Sequence, residues 1–158
     1  MAIDYFSLLG DEGWSPVAVD AADPRHFWSD GRPIADAPVD LAAAFRGAIG
    51  YSTKLDPAFN LSGFRCPPGF TIPMHHLNHN QLTIVFGGSV DVEFLDRDES
   101  GEDGDAAFDV RRVGAGQFFV VDAGTPFMMT AGPDGVTFVE SWREPVATLE
   151  TYWHDRGW

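Results

Sequence analysis

Glycine, proline and aspartate recur so closely along this chain that a long regular element has little room to form. The sequence holds 17 Gly and 11 Pro in 158 residues. From Phe59 onward these residues, with Asp, separate short apolar runs, which is the pattern of an all-β sandwich or barrel. The runs span residues 60–65, 81–86, 89–95, 108–113, 117–121, 127–131 and 136–141. In 90–95, Val90, Val92 and Phe94 alternate with Asp91 and Glu93, so one face of that strand is expected to be buried. Gly87-Gly88 predicts a tight hairpin between the second and third runs.

The first third has a different texture. Gly10, Gly13, Pro16, Pro24, Gly31, Pro33 and Pro38 break residues 10–38 into turns. One short helix is expected over 39–48, capped by Asp36 or Asp40, with Leu41, Ala44, Phe45 and Ala48 on one face and Gly47 and Gly50 ending it. The aromatics Phe6, Trp14, Phe27 and Trp28 suit an arm laid over a core. The organisation expected is therefore an N-terminal arm (1–58), packed on the barrel or on a partner subunit, a barrel (59–145) and a C-terminal tail (146–158).

Charge and cysteine narrow the function classes. Ten Lys and Arg face 24 Asp and Glu, a formal charge of −14, and the basic residues are scattered. Phosphate backbones need clustered cations, so nucleic acid is not an expected partner. Cys66 is the only cysteine, which excludes an internal disulfide, a zinc ribbon and a CxxC redox pair. The first ten residues lack the basic start and apolar run of a signal peptide, and no stretch reaches the length of a membrane span. A cytoplasmic, non-membrane protein is expected. The segment 96–105 carries six carboxylates, and Asp96, Asp98, Ser100 and Gly101 fall at calcium-loop positions. Ala107 stands where the bidentate Glu would be needed, so a solvated loop is the better reading.

The chemically informative segment is 69–88, GFTIPMHHLNHNQLTIVFGG, with three of the five histidines inside five residues. Along an extended strand alternate side chains share a side, so His75, Leu77, His79 and Gln81 would group together and His76 would point away. A bulge would break that count. Imidazoles grouped in this way can share a metal ion.

The segment resembles the first motif of the cupin superfamily: Gly, five residues, His, one residue, His, three or four residues, Glu, six residues, Gly. Gly69, His75, Gln81 and Gly88 match, Gln81 standing for the Glu, and Leu77 occupies the second His position. A second cupin motif, Gly, five residues, Pro, one residue, Gly, two residues, His, resembles 116–127. There Gly116 and Gly124 match, Asp122 stands at the Pro and Phe127 at the His. The resemblance implies a cupin-type double-stranded β-helix, or jelly-roll barrel, preceded by an arm with a short helix, and it implies a homodimer.

The same resemblance implies a divalent metal, Fe, Ni, Mn or Zn, with His75 and Gln81 joined by His79 or His76 as candidate ligands. Dioxygenase, isomerase and lyase chemistries all occur in such folds, and the fold does not choose among them. A small, apolar or aromatic molecule is the expected partner, with Leu77, Phe127, Met129, Arg65 and Trp142 as candidate contacts. An inward-facing Arg65 could hold a carboxylate. The alternative is a metal-free, non-catalytic barrel that binds or senses a small ligand, which the replacement of two imidazoles by Leu77 and Phe127 favours. No GxSxG elbow, P-loop or dinucleotide fingerprint is present.

Overall fold

The structure is a computed structural model of the chain. It describes residues 7–20, 22–52, 60–95 and 108–158, residues 51 and 52 by their backbone alone. The acidic segment 96–105, Phe6 and the arm–barrel junction near residue 58 lie outside the described residues.

Among the described residues the barrel strands are β4 (Leu61–Cys66), β5 (Thr71–Leu77), β6 (Gln81–Leu95), β7 (Phe108–Gly114), β8 (Phe118–Val121) and β9 (Phe127–Trp142). The arm adds β1 (Ser15–Pro16), β2 (His26–Trp28) and β3 (Ile49–Ser52), and residues 146–158 add β10 (Thr151–Trp153). The segment read as a tail is thus a working strand. It runs antiparallel to β5 and parallel to β2, with Trp153 opposite both His75 and Trp28.

Gly87-Gly88 does not turn the chain, contrary to the hairpin expected there. β6 pairs with β9 from Gln81 opposite Trp142 to Phe94 opposite Phe127, with irregularities between Val85 and Gly87 and between Gly88 and Val90. Gly88 has φ +68°, and a Cβ there would lie 2.0 Å from the carbonyl oxygen of Gly135, itself at φ +76°. Positive φ serves a bulge as well as a turn, which is why two glycines in sequence do not separate the cases. The runs 127–131 and 136–141 likewise prove to be one strand.

These paired bends divide the strands between two sheets. The first half of β6 and the second half of β9 lie with β8, β4, β3 and β1; the other halves lie with β7, β5, β10 and β2. The sheets face each other across an apolar interior that includes Val85, Phe138, Val90 and Met129, all at most 1% exposed. The result is an all-β jelly roll.

The arm packs on one flank of this interior. Helix α1 (Leu41–Ala44) is shorter than the expected 39–48, because the chain leaves helical geometry at Phe45 and reaches φ +99° at Gly47. Asp40 caps it, its Oδ1 accepting from the Ala43 amide at 3.1 Å. Phe45 then meets Trp153 edge to face, ring centroids 5.6 Å apart. No helix among the described residues is long and apolar enough to cross a membrane.

Candidate functional site

Between the two sheets lies a cavity of about 270 Å³. One sheet contributes Ser62 and Phe64 from β4, Gln81 from β6, and Glu140 and Trp142 from β9. The other contributes Ile72, His75 and Leu77 from β5, Thr151 and Trp153 from β10, and His26 from β2. Val17, Ala18, Val19 and Phe45 of the arm, with Val146 and Leu149 from the segment before β10, complete the wall. Strand alternation sets the selection: 62 and 64, 75 and 77, 140 and 142, and 151 and 153 each share a parity.

His75 is 6% exposed, and its Nδ1 lies 2.9 Å from the carbonyl oxygen of Pro73. A carbonyl only accepts, so Nδ1 carries the proton and Nε2 is left as a lone pair. Burial pushes the His75 pKa down to about 4 and keeps the ring neutral. The bulge between Ile72 and His75 accommodates Pro73, which cannot donate to a ladder. That Pro inside TIPMHHL is also why this strand is hard to read from sequence.

Gln81 is 1% exposed, and its amide nitrogen donates to Thr83 Oγ1 at 3.1 Å and to Glu140 Oε1 at 3.0 Å. Burial pushes the Glu140 pKa up to about 8, with the Gln81 bond opposing it. At neutral pH Glu140 is therefore mostly a neutral acid, its proton on Oε2. Sequence reading passed over Glu140 as a site residue; the signal available was a single acid in the apolar strand VTFVESW, in phase with Phe138 and Trp142.

Two other cavity residues, Trp142 and Trp153, have buried indole nitrogens with no hydrogen-bond partner among the described residues, and so does Nδ1 of His26. Cys66 is buried, and desolvation pushes its thiol up to about 12, which removes it as a nucleophile.

The remaining sequence candidates are dispersed. Leu77 and Trp142 line the cavity. His79 lies in the turn after β5, with Nε2 2.9 Å from Thr148 Oγ1, outside the cavity wall. His76 is on the opposite side of β5, stacked on Tyr152 at 4.8 Å and bonded through Nδ1 to His154 Nε2 at 2.8 Å. The expected grouping of His79 with His75 fails because β5 ends at Leu77, and the intervening turn resets the parity.

Met129 is buried in the core opposite Ile72 and Val92. Phe127 packs its ring 4.3 Å from that of His75 and borders a separate groove of about 450 Å³ near β7 and β8. Arg65 does not face the cavity. Its guanidinium holds the arm instead, donating to Leu8 O at 2.8 Å and to Gly10 O, pairing with Asp11 and lying over the Trp14 ring at 4.4 Å. Its odd position on β4 puts it on the face opposite Ser62 and Phe64.

No protein-family model matches the chain, and no curated protein does. Solved structures do match. A variant of oxalate decarboxylase from Bacillus subtilis superposes with a TM-score of 0.52 at 20% identity, over 63% of this chain and 26% of that one. Oxalate decarboxylase from Lactobacillus farciminis, in a formate complex, gives 0.52 at 20%, over 63% and 29%. These are cupin-superfamily structures. The chain has the cupin fold. It spans little more than a quarter of the length of these structures. A third match, over 63% of this chain and 25% of the other, comes from a study of the Mn(II) centres of the Bacillus subtilis enzyme, with a TM-score of 0.50 at 22% identity.

The cupin motifs assign the metal to the surroundings of His75, and the residues present there do not fit one. Leu77 and Phe127 offer no donor atom. Gln81, whose amide hydrogens donate to Thr83 and Glu140, offers only its Oε1, and His75, whose Nδ1 donates to Pro73, offers only its Nε2, two donors in all from the motif positions. Among the described residues, no three of His, Cys, Asp or Glu come together as an ion-binding group. A catalytic metal ordinarily keeps at least three protein ligands.

Proposed function

We propose that this cupin barrel binds a small, uncharged, largely apolar molecule between its sheets, and does so without a divalent metal at the cupin position. The observation that carries the reading is what surrounds His75: Leu77 in the cavity wall and Phe127, packed against the His75 ring from the neighbouring groove, stand where the cupin motifs have imidazoles. The cavity is slightly below the roughly 300–1,000 Å³ usual for drug-sized ligands, and its apolar walls with a few fixed polar groups have the make-up of a binding site. Among the described residues its wall has no Lys or Arg, so a dianion such as oxalate would be desolvated there without a counter-charge from them.

The competing reading is a metal-dependent lyase, which the likeness to oxalate decarboxylases favours. Metal analysis separates the two. Protein purified without a histidine tag, then incubated with Mn(II), Fe(II), Ni(II) or Zn(II) and desalted, is expected to retain well under one equivalent. Stoichiometric retention that His75→Ala abolishes would replace the metal-free reading with the lyase.

A further inference from the structure

Strand β6 turns two unlike faces to the outside. Before its bend Gln81, Thr83 and Val85 are buried inward, so Leu82, Ile84 and Phe86 point outward. After the bend Val90 and Val92 are the buried residues, and Asp91 and Glu93 point outward. An antiparallel sheet that packs one face on the core ordinarily gives polar residues to the other. The second half of β6 follows that rule and the first half breaks it.

Strand β8 extends the apolar side. Phe119 and Val121 pack against the core, which leaves Phe118 and Val120 facing out beside their register partners Ile84 and Leu82. Phe118 is 68% exposed, Val120 58% and Phe86 41%. Among the described residues, no strand pairs with the other edge of β8. The arm lies on the β4 side of the same face, where Arg65 holds Leu8 and Gly10, and a Cβ at Gly87 would lie 3.5 Å from Leu9 Cδ2. It leaves Phe118, Val120 and Phe86 bare.

Contiguous apolar surface of this kind is rare on a monomer and marks a contact site. Charge selects its occupant. No outward residue of β8 or of the first half of β6 is charged, so a strongly acidic or basic partner finds no counter-charge there. A second copy presents the same neutral sheet face. The formal charge of −14 opposes the approach of two copies, but Asp91 and Glu93 stand on the outward face of the other sheet, turned away from such a contact.

We propose that the outward face of β6 and β8 is the contact of a two-fold homodimer, in which two copies pack these sheet faces together around Phe118. The cupin resemblance implies a dimer without saying which surface makes it. A two-fold contact uses the same patch on both subunits, so one self-complementary neutral face is sufficient and the assembly closes at two. The assignment is independent of the cavity and its ligand.

Sedimentation equilibrium of the full chain is expected to give twice the chain mass of 17.3 kDa, and the association should tighten as salt rises, because salt screens the like charges of the two copies. Phe118→Gln and Val120→Gln keep the net charge. Phe118→Gln should raise the dimer Kd at least about thirtyfold, the effect of losing a central aromatic anchor, and Val120→Gln should raise it in the same direction. Val110→Gln is the control: Val110 is 56% exposed but lies on β7 opposite Glu93, on the other sheet, and its loss should leave the dimer intact. Hydroxyl-radical footprinting of the unmodified protein needs no variant to fold. Oxidation of Phe86 and Phe118 should fall between the dilute and the concentrated protein.

A chain that stays monomeric at its highest soluble concentration overturns the proposal. So does a dimer that weakens with salt, that survives Phe118→Gln, or that yields to Val110→Gln instead. Oxidation of Phe86 and Phe118 that is unchanged by dimer formation places the contact elsewhere and overturns it as well.

Discussion

The side-chain amide of Gln81 donates to Oε1 of Glu140 at 3.0 Å inside the barrel, so the residue at a cupin ligand position is tied to a buried acid. Each partner is less than a tenth exposed. The bond opposes the rise of the Glu140 pKa but does not cancel it, because desolvation is the larger effect.

Glu140 should make the fold lose stability with rising pH. Its folded pKa near 8 lies above the ordinary 4.5, so between these values the folded state holds more protons than the unfolded state and stability falls as pH rises. His75 works in the other direction: with a folded pKa near 4 against 6.5, its contribution falls as pH drops from 6.5 towards 4. The two slopes largely offset one another between about 4.5 and 6.5, and Glu140 alone acts from there to about 8. Urea unfolding of the wild type should therefore weaken between pH 6.5 and 8, by on the order of 2 kcal/mol. Glu140→Gln should remove that decline; an unchanged slope in the variant would mean another group titrates.

Replacing Gln81 tests the same bond from the other side. Gln81→Leu keeps the volume but leaves the Glu140 oxygen and the Thr83 hydroxyl without their donor. A loss of about 1–3 kcal/mol is expected in denaturant unfolding at pH 7. The double variant Gln81→Leu, Glu140→Leu should recover part of it, because an apolar pair leaves fewer polar groups unpaired. A double variant that is no more stable than the sum of the single losses would count against coupling.

Gly88 should be intolerant of any side chain. A Cβ there meets the Gly135 carbonyl oxygen at 2.0 Å, and φ +68° is itself unfavourable for an L-residue. Together these are expected to cost about 2–5 kcal/mol for Gly88→Ala. Gly116→Ala is the control, since it has a similar φ of +82° but no atom within 4 Å of its Cβ. It should cost about 1–2 kcal/mol. Equal losses in thermal or urea unfolding would show that the strand crossing is looser than described.

Arg65 should act on the arm and leave the cavity's polar groups alone. Asp11 is fully exposed and its ion pair adds little, whereas the bonds to Leu8 O and Gly10 O are made from a side chain only 19% exposed. Arg65→Ala should speed hydrogen exchange in residues 7–14 at a cost of about 2 kcal/mol. Arg65→Lys should rescue only part of this, because a single ammonium cannot reproduce the forked donors or the stacking on Trp14. Exchange confined to its wild-type rate in the Ala variant would remove Arg65 from this role.

Much of the barrel was legible because its strands are half buried and alternate, as Val90, Val92 and Phe94 do. What failed was the reading of interruptions. Gly87-Gly88 satisfies the sequence requirements of a hairpin and of a bulge equally, and only the crossing at Gly135 tells them apart. Thr151–Trp153 is too short to show any period, and Pro73 hides β5. In the site, two-residue parity grouped His75, Leu77, His79 and Gln81 as if on one strand; the chain turns after Leu77, so His79 leaves the cavity and Gln81 returns to it on β6 through register opposite Trp142. Glu140, Thr151 and Trp153 enter the cavity through register with distant strands, which no local pattern records.

The cavity wall draws on Val17 of the arm, His75 in the middle of the chain and Trp153 beyond the barrel strands. Contacts between residues so far apart in sequence carry the largest loop-closure cost and tend to form late in folding. The hollow therefore comes into being only when the whole architecture is finished, and partly folded chains have nothing to offer an occupant. A molecule seated there works as a fastener: it holds three remote stretches of one chain against one another, and its affinity adds to the stability of the fold as a unit.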